Sequence, residues 1–196
     1  MKEIIKKLEA KWLPFEKDTF YLKQHDTSNG QQKSYLNILF NPVELKEFEF
    51  ARTVLNCEFP SSLIKLYEQF NGIMLFSESL RIYGVGTENN ALYDSYDIVA
   101  QNMNKNIKSY GDEFADFIVF GQYSSCLFCF DKTNLESIYV VDKKQAKIVY
   151  VFKTVRELLL YYLDHLIKEY DESGKKIHYD KRFEGMPIAN TSLEFI

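Results

Sequence analysis

The 196-residue sequence predicts an α+β fold: a central, largely antiparallel sheet of about five or six strands with helices packed against it, plus an N-terminal helix and hairpin. Three observations point there. The stretch from Glu58 to Gly72 spaces Leu63, Ile64, Leu66, Tyr67 and Phe70 as a wide helical stripe, and the period changes to that of a strand directly after it. Four strand-like runs crowd between Asp116 and Phe152 with only short turn clusters between them, so an antiparallel meander is the simplest connection. Thr154-Val155-Arg156-Glu157 then has capping-box spacing at the head of a long amphipathic segment that can cover one sheet face.

Taken in order, Lys2 to Leu13 places Ile4, Ile5, Leu8 and Trp12 on one helical face, and Pro14 ends the pattern. Thr19 to Gln24 and Lys33 to Phe40 are rich in Tyr, Phe, Leu and Ile and flank the turn formers His25 to Gly30, which predicts a hairpin. Val43 to Asn56 returns to helical spacing, with acids in its first turns, where the helix dipole favours them. In the next helix Pro60 is expected at the first helical position, where its fixed φ and missing N–H do no harm, and Asn71-Gly72 is expected to close it. Leu66 is expected to be buried in its stripe. Ile73 to Phe76 and Leu80 to Gly84 read as strands, and Gly84 to Asn90 as a loop. Asp94-Ser95 is expected to cap a helix from about Tyr96 to Tyr110, stopped by Gly111. Strands follow at Asp116–Phe120, Cys126–Phe130, Ser137–Val141 and Lys147–Phe152, and the capped helix runs on to about Tyr170 through Leu158, Leu159, Tyr162, Leu163, Leu166 and Ile167. The division expected is an N-terminal helix and hairpin extension over 1–42, a core domain over 43–170 and a tail over 171–196, whose Phe183, Ile188, Leu193, Phe195 and Ile196 offer docking anchors.

Composition narrows the function. A formal net charge of −4 has the wrong sign for a protein that lives on nucleic-acid phosphates. The amino end lacks the unbroken apolar run of a secretory signal, no segment approaches membrane-spanning length, and three cysteines at no framework spacing read as reduced thiols, so a cytoplasmic location is expected.

The chemistry-bearing residues form no catalytic motif. Cys126 and Cys129 have the two-residue gap of redox and zinc motifs, but they lie in an apolar strand without a helix start or a second ligand pair, so they read as core thiols. His25, His165 and His178 are scattered, and no serine, cysteine or carboxylate beside them forms a recognisable nucleophile and base motif, which leaves only a triad assembled in three dimensions. Gly84-Val85-Gly86 lacks the third glycine or the Lys-Ser/Thr pair of a phosphate loop. No catalytic, cofactor or metal residue is expected. The residues that suggest function are acids with aromatic neighbours around the middle helix: Glu88, Tyr93, Asp94, Tyr96, Asp97, Asp112, Glu113 and Asp116, outnumbering Lys105 and Lys108 between them. Such a patch would steer a basic protein partner and set its orientation.

The order of the pieces resembles the SUKH superfamily, the group of the yeast Smi and Knr cell-wall regulators and many bacterial immunity proteins. Phe59-Pro60, Leu63, Leu66-Tyr67, Phe70 and Asn71-Gly72 look like the family's Leu-Pro, Tyr, Phe-Leu and Asn-Gly signature. Leu80 to Gly84 resembles its first central strand, Phe117 to Gly121 its Ile-Phe-Gly strand end, and Ile138 to Val141 with Phe152 to Leu163 its late strand and closing helix. Phe59 stands where Leu is usual, and Ile73 where a second glycine is common. The resemblance implies an α+β domain that functions by binding and transfers no catalytic residues. It implies an immunity protein that neutralises a cognate polymorphic toxin domain, such as a nuclease, by stoichiometric occlusion. The alternative is an intracellular adaptor of the Smi/Knr type with endogenous signalling or cell-wall partners.

Overall fold

In the computed structural model the described residues are 2–12, 16–17, 21–23, 36–86, 96–104, 107 and 111–177. Nine strands form one sheet in which spatial order equals chain order and every neighbouring pair is antiparallel: β1 (Glu16–Lys17), β2 (Tyr21–Lys23), β3 (Asn37–Phe40), β4 (Ile73–Leu75), β5 (Leu80–Ile82), β6 (Phe117–Tyr123), β7 (Cys126–Asp131), β8 (Asn134–Asp142) and β9 (Lys147–Phe152). The expected α+β architecture is present. The sheet exceeds five or six strands because the N-terminal hairpin joins it: Leu22 pairs with Leu39, and Ile38 with Met74.

Helices α1 (Lys2–Glu9), α2 (Leu45–Leu55), α3 (Ser61–Tyr67), α4 (Ile98–Asn104) and α5 (Val155–Glu169) complete the fold. Half of the anticipated capping box of α5 is in place: the Glu157 N–H donates to Thr154 Oγ1 at 3.1 Å, while the Glu157 carboxylate accepts the N–H of Lys153, one residue before the cap, at 3.1 Å. Leu158, Leu159, Tyr162, Leu163 and Leu166 are buried beneath it. Ile4 and Leu8 of α1 are buried as well, while Trp12 packs from the turn beyond the helix, which is shorter than its periodicity suggests. Phe48, Phe59, Tyr67 and Phe130 form a chain of edge-to-face and tilted ring contacts that ties α2 and α3 to the sheet.

The corner after α3 differs in detail from the expectation. Pro60 is the N-cap rather than the first helical residue, and the helix closes at Tyr67. Gly72 alone takes the left-handed conformation, φ +95°. Asn71 serves as a clamp instead. Its side-chain Nδ2 donates to Val85 O at 2.9 Å and its Oδ1 accepts the Val85 N–H at 2.6 Å, so one buried amide pairs with the backbone as a strand would. The buried Tyr67 hydroxyl donates to Tyr83 O at 2.7 Å beside it. A Cβ on Gly72 would lie 2.8 Å from Ile82 O and 2.9 Å from Gly84 N.

At the far end of β4, Phe76, Ser77 and Glu78 all have positive φ (56°, 51° and 70°). Contacts from elsewhere hold this turn. The Phe76 N–H donates to Asn37 Oδ1, the Ser77 N–H to Leu36 O, and the Tyr170 hydroxyl to Phe76 O. Trp12 and Tyr170 pack on the buried Phe76 ring.

Candidate functional site

α4 is built differently from the long helix the sequence predicts. The Gly84 N–H donates to Tyr96 O at 2.9 Å and the Ile98 N–H to Gly84 O at 2.8 Å, which fixes Tyr96 and Asp97 as an extended bridge and delays the helix to Ile98. Asp97 is therefore the capping residue, its Oδ1 accepting the Val99 N–H at 2.9 Å. The expected caps Asp94 and Ser95 lie outside the described residues. Further along, Asn102 repeats the corner's device: Nδ2 donates to Val119 O at 2.7 Å and Oδ1 accepts the Val119 N–H at 2.8 Å. α4 thereby covers the part of β6 that β5 is too short to reach.

In chain order the described residues of the candidate patch precede and follow this helix. At its start, Tyr96 sets its ring 5.5 Å from the Arg81 guanidinium, and Asp97 is half-buried against Gly86, whose missing Cβ leaves room for the carboxylate. Both side chains already serve the fold. Beyond its end, Asp112 and Glu113 are exposed on a 3₁₀ turn, and exposed Asp116 accepts the Lys132 N–H through its carbonyl. Glu88, Tyr93 and Asp94 lie outside the described residues.

The structure adds residues that the sequence reading missed. Phe50 and Val54 of α2 are 58% and 39% exposed and Met103 of α4 is 69% exposed, on two helices that pack against each other. A clue was available: α2 carries more apolar residues than one stripe can bury, and Phe48, Ala51 and Leu55 occupy the buried face. Lys46 and Glu47, four and three residues before Phe50, share its side of α2, while Arg52, held between Glu49 and Glu58, lies towards the other side.

The thiols are poorly suited to nucleophilic chemistry. Burial pushes Cys129 well above the ordinary range, burial and then Asp142 push Cys126 up to about 11, and burial raises Cys57. Cys126 and Cys129, three residues apart on one strand, point to opposite faces. His165 is exposed, packed edge-on to Tyr161, while His25 and His178 lie outside the described residues. A groove of about 380 Å³ separates α3 from the start of α5, lined by Ser61, Ser62, Lys65, Gln69 and Arg156, and Arg156 is turned to Glu3. Among the described residues no three His, Cys, Asp or Glu side chains gather as a metal site, and no helix is long and apolar enough to cross a membrane.

Residues 41–161 match the model of the SMI1 / KNR4 family (SUKH-1). No curated protein matches the chain.

Proposed function

The chain belongs to the SMI1 / KNR4 family (SUKH-1), whose domains bind proteins and are generally non-catalytic, and from that premise we propose that it is a cytoplasmic immunity protein that neutralises a cognate toxin domain by stoichiometric occlusion. The observation that carries this reading is the exposure of Phe50, Val54 and Met103 on the adjoining helices α2 and α4. Large apolar side chains with polar and charged groups around them are the usual make-up of an interface centre and its rim. Glu88, Tyr93, Asp94, Tyr96, Asp97, Asp112, Glu113 and Asp116 are the candidate members of that rim. The net charge of −4 favours a basic partner, as nuclease toxins tend to be, over nucleic acid itself. An interface of standard size would bury roughly 1,600 Å² in total, with few anchors carrying most of the energy. Residues 43–170 would carry this function, with 1–42 and 171–196 as extensions.

The test uses a purified cognate toxin domain and cells that express it. Co-expression of the chain should rescue growth, and Phe50→Ala should weaken toxin affinity roughly 30-fold while leaving the melting temperature within a few degrees. Tyr96→Ala combined with charge reversal at Asp94 and Asp97 tests the candidate rim. Unchanged affinity in both variants would remove the interface from this surface. Capture of endogenous signalling or wall proteins from the native host, with no rescue from any toxin, would favour the adaptor role.

A further inference from the structure

We propose that the outer edge of β9 is a second docking site, which takes up an extended, acid-flanked apolar segment of a partner protein as a tenth strand. This inference is independent of the α2–α4 surface. Among the described residues β9 closes the strand order and pairs only with β8, so no described strand lies beside its outer row of backbone N–H and C=O groups. Lysines and a bulge guard parts of this edge, but its exposed side chains between the two ends are apolar. Ile148 and Val151 are 38% and 40% exposed.

The register puts these two on the same side. Tyr150 pairs with Val140, Ile148 with Val141 and Val151 with Tyr139, so Val149 is an extra, bulged residue. Cross-strand partners share a face, and Val140 faces away from both Tyr139 and Val141. Ile148 and Val151 therefore stand together on the face opposite α5. On the α5 face, half-buried Tyr150 and Phe152 stack at 5.2 Å and pack on Tyr161. An added strand would find apolar contacts on both of its faces, which is what strand addition requires for side-chain specificity.

Charge identifies the occupant. Lys144, Lys147 and Lys153 are exposed around the two ends of β9, and among the described residues none of their ammonium groups is in an ion pair, although Asp142 is the cross-strand neighbour of Lys147. A second copy supplies no acid on its own β9: the antiparallel register that sets Ile148 against Val151 of another molecule pairs Lys147 with Phe152, and the register slipped by one residue sets Lys147 directly against Lys153, where like charges are destabilising. A segment with an apolar centre and Asp or Glu at both ends meets the lysines with opposite charge.

The probe is a displayed library of linear ten-residue peptides, selected on the full chain at low salt. Alternating apolar sequences with acids at both ends should be enriched, and binding of a selected peptide should slow amide exchange in β9. Lys147→Glu combined with Lys153→Glu should weaken that peptide about tenfold. Absence of an acid-flanked consensus, equal affinity of the charge-reversed chain, or a footprint away from β9 would overturn the proposal. So would outer β9 amides already protected in the free chain, which would mean that one of its own segments fills the edge, or protection that rises with protein concentration, which would mean a second copy. The footprint on the unmodified chain decides the matter even if the double variant folds poorly.

Discussion

Strand β4 is three residues long, and its two ends are turned by opposite means. At Asn71-Gly72 the residue with positive φ is a glycine, and the side-chain amide before it makes both backbone hydrogen bonds that Val85 needs. At Phe76-Ser77-Glu78 three residues with side chains occupy the left-handed region in succession, each at a local cost of about 1–2 kcal/mol, and remote groups offset it. The first end is written into its own residues; the second is imposed by β3 and by the residue that follows α5. A local signature can therefore mark one turn of a hairpin while the other leaves no local trace.

The largest expected effect tests the first end. Gly72→Ala places a Cβ 2.8 Å from Ile82 O in a conformation that alanine disfavours, and should destabilise by roughly 3–4 kcal/mol. Chemical denaturation measures it, and a loss under 1 kcal/mol would mean that the corner can shift. Asn71→Ala comes next. It strands the buried N–H and C=O of Val85, for an expected loss of about 2–3 kcal/mol, whereas Asn102→Ala, at a half-buried position with the same bonding pattern to Val119, should lose about half as much. Equal losses would show that the bonds rather than their burial set the magnitude.

Alkali also attacks the corner. Burial pushes the Tyr83 phenol up to about 12, and raises Tyr67 as well, with Asp97 adding to it. A raised phenol pKa means that the fold favours the neutral form. Its contribution is complete below the unfolded value of 10.0 and is lost as pH climbs from there towards 12, at about 1.4 kcal/mol per pH unit for each group. Cys126, raised from 9.0 to about 11, begins the loss a unit earlier. Melting temperatures between pH 8 and 11 should fall progressively above 9, and a flat profile would contradict the burial of these groups.

How much was legible follows the same division. The strand Lys147–Phe152 and the Thr154 cap were readable to the residue because period and capping chemistry are local. The Asn-Gly corner was readable as a turn, though the helix ends earlier, at Tyr67, and the amide clamp was not readable, since Val85 lies 14 residues away. The start of α4 was misplaced because Gly84 captures Tyr96 and Asp97, a contact that periodicity does not contain. The acids of the candidate patch were visible, but the part that Tyr96 and Asp97 play in the fold was not. Phe50 and Met103 escaped notice because an exposed apolar residue on a helix reads like a core residue until the neighbouring faces are known.

The smallest effect has the opposite sign and tests the second end of β4. Ser77 is exposed, holds φ at 51°, and bonds Leu36 O through its backbone, so Ser77→Gly removes no side-chain packing and keeps that hydrogen bond. Relief of the left-handed conformation should return about 1–2 kcal/mol, and the greater freedom of glycine in the unfolded chain offsets roughly 0.5–1 of it, leaving a net gain of about 0.5–1 kcal/mol. Asn56 is the control. It holds a similar φ of 48° at the C-cap of α2, but asparagine tolerates that conformation, so Asn56→Gly should change stability far less. A gain at 77 with little change at 56 would show that β3 and Tyr170 hold the turn against its own residues. Equal responses would mean that the left-handed run of Phe76 to Glu78 is at ease in its surroundings.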